Sequence, residues 1–116
     1  MQAQELSRSI DTIVSSAGEG QLLARGVTED GTKTTFVRVR AQELGDTVDH
    51  ESEKLQDATA GPDVAPAKRR AVRIADAVSS ALGSLQVDPD GDATAEAANL
   101  ALKRLSSRAQ RLQETL

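Results

Sequence analysis

Ala98, Leu102, Leu105, Ala109, Leu112 and Leu116 follow one another at spacings of 4, 3, 4, 3 and 4. A chain with that spacing is held to a helix with one apolar seam, because positions three and four apart share a face at 3.6 residues per turn. Ala71, Ala75, Val78, Leu82 and Leu85 repeat the pattern, and so do Ala3, Leu6, Ile10, Ile13 and Ala17. None of these seams sustains the three or four heptads that an extended coiled coil requires. Short helices with such seams close into a bundle. The core they form is aliphatic, since Phe36 is the only aromatic residue among 116. Each fully buried Leu, Val or Ile contributes roughly 1.5–3 kcal/mol, which sustains one modest domain over residues 1–116.

Between residues 21 and 40 the pattern changes. QLLARGV and TKTTFVRVR flank TEDG, β-branched residues are frequent, and Asp30-Gly31 suits a hairpin turn. Alternation sets Val37 and Val39 against Arg38 and Arg40, and Gly18 and Gly20 are placed to end the first helix. The expected fold is therefore mainly α with an α+β element: a compact bundle of about four helices carrying one β-hairpin, in the order α-β-β-α-α-α. Residues 1–59 supply a helix, the hairpin and a helix (41–59). A linker at 60–66 follows, with Pro66 suited to a first helical turn. Residues 67–116 supply a two-helix segment with an acidic loop at 88–99.

Cysteine is absent and His50 is the only histidine, which excludes disulfides, thiolate chemistry, Cys-ligated metals and a His cluster within one chain. The first residues lack a basic region followed by an apolar run, and no apolar stretch approaches ~18 residues. A soluble, cytoplasmic protein without membrane contact is the expectation. The net charge is −4. That balance, with no aromatic platform for stacking bases, disfavours a nucleic-acid binder.

Four groups of side chains are candidate sites. DPDGDATAEAAN, residues 88–99, places Asp88, Asp90, Asp92, Thr94, Glu96 and Asn99 at the ligand positions of a calcium-binding EF-hand loop, which this stretch resembles over twelve residues. It departs from that loop at Ala93, where glycine makes the turn, at Ala95, and at Asn99, which cannot supply a bidentate carboxylate. The competing expectation is a helix start: Pro89, Asp90 and Gly91 turn, Asp92 caps, and Glu96 sits near the positive end of the helix dipole.

Asp46, His50, Glu53 and Asp57 share one face of the helix expected at 41–59, about 150–170° from the Leu44, Val48 and Leu55 stripe. Carboxylates beside an imidazole can bind a metal or exchange protons, but a face opposite the core is normally solvated. Ser52 is a poor partner for His50, because residues two apart on a helix do not face each other.

Lys68, Arg69, Arg70 and Arg73 crowd the opening turns of a helix, where the dipole disfavours cations. Glu51, Glu53 and Asp57 are the nearest compensating acids. A partner's acidic surface and phosphates are the alternatives. Arg104, Arg108 and Arg111 flank the last seam, where their alkyl stems can cover a helix–helix edge or their heads meet an anion.

No nucleophile stands beside a base, and no glycine pattern cradles phosphate. The expectation is a non-enzymatic interaction or assembly protein without a cofactor. It would associate with itself as a homo-oligomer through helical seams and hairpin edges, or with another protein as a small subunit of a larger complex such as a virus particle. A calcium-responsive module and a nucleic-acid-linked regulator using the arginine clusters are the alternatives.

Overall fold

In the computed structural model, which describes residues 1–116 with the side chain of Asp30 excepted, the four seams meet in one core. The helices are α1 (Ala3–Arg25), α2 (Thr34–Asp57), α3 (Ala65–Val87) and α4 (Asp92–Glu114). Each runs antiparallel to the next, in an elongated bundle of 46 × 22 × 16 Å. Cross-links between helices set the register. Arg40 pairs with Glu19 between α2 and α1. The buried Ser52 hydroxyl donates to Asp76 Oδ1 at 2.7 Å between α2 and α3. Gln113 Nε2 donates to the Ser7 carbonyl at 3.0 Å and to Asp11 Oδ1 at 2.6 Å, tying the end of α4 to the start of α1.

The expected β-hairpin does not form. No strand occurs among the described residues; 21–25 complete α1, Gly26–Asp30 form a π-helical turn, and 34–40 open α2. The physical reason is visible in α2. Val37, Ala41, Leu44, Val48 and Leu55 are all buried along one stripe, while Val39 is 48% exposed and Phe36 57% exposed. Val37 and Val39 thus do not share a face, as they would in a strand. Packing of the stripe outweighs the β preference of the Thr34–Val39 run, a preference worth at most ~1 kcal/mol per residue. Asp30-Gly31 is accordingly no hairpin turn: Asp30 ends the π-helical segment and Gly31 caps it with φ 60° and ψ 39°, while the Thr32 amide donates to the Gly26 carbonyl at 3.1 Å. The observed order is α-α-α-α, with the π-helical turn between the first two helices.

Gly20 does not end α1 either. It is buried within the helix and continues the seam Leu6, Ile10, Ile13, Ala17, Gly20, Ala24. A Cβ at this position would lie 2.7 Å from Leu82 Cδ2 and 2.8 Å from Leu102 Cδ1. A side chain there would force the buried Leu82 and Leu102 side chains to shift.

The packing is uneven. α2 lies most closely on α3 and α1 on α4, whereas the α3–α4 and α1–α2 pairs approach each other less. Ile74, Leu105 and Leu112, at the α3–α4 seam, keep 6–8% exposure where Leu6, Val48, Val78 and Leu102 keep none. Of the two looser seams, this one carries a groove on its outer side.

An arginine-lined groove as candidate functional site

The opening between α3 and α4 is a groove of about 570 Å³ with Ile74, Ala77, Leu105 and Leu112 as its floor and Arg70, Arg73, Arg108 and Arg111 as its walls. It continues past Arg108 and Arg104 into a shallower stretch of about 390 Å³ lined by Ala77, Ser80, Ala81, Ser84 and Ala101. The two basic clusters, more than thirty residues apart in the chain, therefore become one surface. Arg70 and Arg73 arrive from the first half of α3, and Arg104, Arg108 and Arg111 from the second half of α4, because the two helices are antiparallel. On each helix these positions adjoin the core stripe, so the stems lie along apolar surface and the guanidinium groups reach water.

No acidic side chain lines either part of the groove. Among the described residues none of the five arginines makes an ion pair; the ion pairs found are Arg40 with Glu19 and Glu43, and Lys54 with Glu51. The expected compensation by Glu51, Glu53 and Asp57 is absent. Lys68 turns instead to the end of α2, where its Nζ donates to the Ala58 carbonyl at 2.6 Å, a placement the negative helix end favours. Lys68 and Arg69, with Gln56, Val72 and Arg73, line a separate depression of about 380 Å³ on the α2–α3 side. Of the seven basic candidates, five meet in the groove and two do not.

The acidic loop behaves as a helix start. α4 begins at Asp92 with Gly91 as its N-cap residue, so Asp92 stands in the first turn and is not the cap. Thr94 Oγ1 donates to Asp88 Oδ2 at 2.6 Å. The Asp88 carboxylate folds back over Gly91, where an added Cβ would lie 2.8 Å from its Cγ. Asp88 thus faces the opening turn of α4, where negative charge is favoured. Glu96 and Asn99 lie on α4 itself. Among the described residues no three His, Cys, Asp or Glu side chains come together as a metal site.

Asp46, His50, Glu53 and Asp57 are all exposed, with Asp49 beside them, and form an acidic strip on the outer face of α2. Ser52 is buried on the opposite side, where it also accepts from Gln56 Nε2 at 3.0 Å. His50 and Ser52 therefore cannot act together.

What sequence reasoning missed is the union of the two arginine clusters. The signal was present: both occupy positions next to a seam, and an antiparallel pairing of the last two helices brings residues 70–73 beside 108–111. No helix among the described residues is long and apolar enough to cross a membrane. Comparison of the chain with protein-family models, curated proteins and solved structures returns no match.

Proposed function

We propose that this chain is a non-enzymatic interaction protein, acting in the cytoplasm, whose α3–α4 groove recognises an acidic protein surface. The observation that carries this reading is five arginines around an apolar floor, with no carboxylate in the groove lining and, among the described residues, no ion pair to any of them. Like charges gathered on one surface repel, and among the described residues no ion pair offsets them. Arginine presents a planar fork of donors that meets a carboxylate bidentately, and it is weakly hydrated for a cation, so it suits a surface covered on binding. Ile74, Leu105 and Leu112 add an apolar base, the arrangement of a contact with a desolvated centre and charged rim.

A polyanionic nucleic acid fits less well. The chain carries −4 overall, and its acidic strip on α2 would repel a phosphate backbone. The apolar floor has no aromatic ring on which a base could stack.

Polyglutamate is a suitable probe, followed by calorimetry at low and high salt with the wild type and with Arg73→Gln/Arg108→Gln/Arg111→Gln. Salt-sensitive binding that the triple variant loses supports the reading. Absence of binding, or binding indifferent to the substitutions, contradicts it.

A further inference from the structure

The seams expected to join copies are spent inside the bundle, so self-association has to use the remaining surface. That surface is polarised. The outer face of α2 carries Asp46, Asp49, Glu53 and Asp57, all exposed, and among the described residues no cation lies within ion-pair distance of any of them. The α3–α4 groove carries five arginines equally without partners.

The two surfaces match in length and height. From Asp46 to Asp57 the strip runs about 16 Å along α2 at 1.5 Å per residue. The arginines run from Arg70 to Arg104, which faces Ala81 across the groove; residues 70 to 81 of α3 also span about 16 Å. The Ser52–Asp76 bond and the Lys68–Ala58 cap fix α2 against α3. That register sets Asp57 near the height of Arg70 and Asp46 near that of Ala81. The strip points away from the core and the groove opens between two other helices, so one copy cannot fill its own groove with its own strip.

Resting on the groove being the recognition face, we infer that its occupant is a second copy of this chain, docked through the acidic strip of α2 with the two bundles side by side and pointing the same way. Five guanidinium groups then face four carboxylates at matching heights, and no shift along the bundle axis is needed. The contact is heterologous: each copy offers a groove to one neighbour and a strip to another. Such contacts build rings where the rotation closes and open rows where it does not. An interface made largely of charge is screened by salt, so the assembly dissolves as ionic strength rises.

Native mass spectrometry of the full chain over a range of protein concentrations tests this with two variants: Asp46→Asn/Glu53→Gln/Asp57→Asn, which neutralises the strip, and Arg73→Gln/Arg108→Gln/Arg111→Gln, which neutralises the groove. All six positions are exposed, and an unchanged helical circular dichroism spectrum confirms that each variant folds. The wild type is expected to exceed two copies at low salt and to revert to monomer at high salt. Each variant alone is expected to be monomeric. Mixed in equal amounts they form a pair and nothing larger, because only one intact groove and one intact strip remain. A wild type that stays monomeric yet binds polyglutamate through its arginines overturns the second copy as occupant while leaving the acidic-partner reading intact. An oligomer that survives either variant overturns the inference. A groove that retains an oligonucleotide and ignores polyglutamate overturns both.

Discussion

Gly20 of α1 lies against Leu82 of α3 so closely that a Cβ on the glycine would come within 2.7 Å of the Leu82 Cδ2 atom. Both residues are buried, and Leu102 closes the same contact from α4 at 2.8 Å. The glycine that would weaken an isolated helix is therefore where three helices meet.

Alanine at Gly20 is expected to destabilise the fold. Overpacking a filled core costs about 1–3 kcal/mol, against a helix-propensity gain of about 1 kcal/mol. Gly18, Gly45 and Gly83 are also helical, but nothing lies within 4 Å of a Cβ added there. Alanine at each of these is expected to stabilise by about 0.5–1 kcal/mol. Urea midpoints of the four variants should split in sign, and a gain at Gly20 equal to the others would show that the contact is soft.

Two buried serines should respond oppositely. Ser52 links Asp76 and Gln56, so Ser52→Ala should cost about 1 kcal/mol. The Ser9 hydroxyl is buried without a hydrogen-bond partner, so Ser9→Ala should be neutral or stabilising by up to about 1 kcal/mol. Thermal unfolding of the pair decides the matter; a large loss at Ser9 would mean that its hydroxyl is satisfied.

At the start of α4, Gly91→Ala should displace the Asp88 carboxylate and break its bond with Thr94, at a cost of about 1 kcal/mol. In an Asp88→Ala background that cost should largely vanish, the non-additivity expected of two groups in contact. With Asp88 committed to the helix start, calcium should leave the melting temperature of the wild type unchanged. Additive losses, or a calcium-dependent rise in melting temperature, would contradict this account of the loop.

Much of the bundle is legible in the sequence. The seams of α1, α3 and α4 follow from spacings of three and four, and Pro66 stands in the first turn of α3 as expected. Residues 21–40 were not legible, because Val37 fits alternation with Val39 as well as helical spacing with Ala41 and Leu44, and only burial separates the two. Gly20 reads as a stop until the seam is extended through it, since spacing alone does not reveal a neighbour that requires the missing Cβ. The individual arginines of the groove were visible. Their assembly was not, because it depends on α3 and α4 running antiparallel and leaving a groove floored by Ile74, Leu105 and Leu112 between them.

A surface kept for binding can oppose stability. Arg70 stands one helical turn from Arg73 and lines the same groove as Arg108 and Arg111. Arg70→Glu removes like-charge repulsion, so it should raise stability by about 0.5 kcal/mol while weakening capture of polyglutamate. Chemical denaturation and a binding isotherm on one preparation test both halves. A variant that loses stability would place Arg70 in the architecture of the bundle, not in recognition.

The most direct measurement is a polyglutamate titration followed by amide chemical shifts of the isotopically labelled protein at low salt. Shifts that move together at Arg70, Arg73, Arg104, Arg108 and Arg111, with the acidic face of α2 moving only as a docked copy is displaced, are the predicted result. Shifts scattered over the surface, or none at these five positions, would contradict the groove as the recognition site.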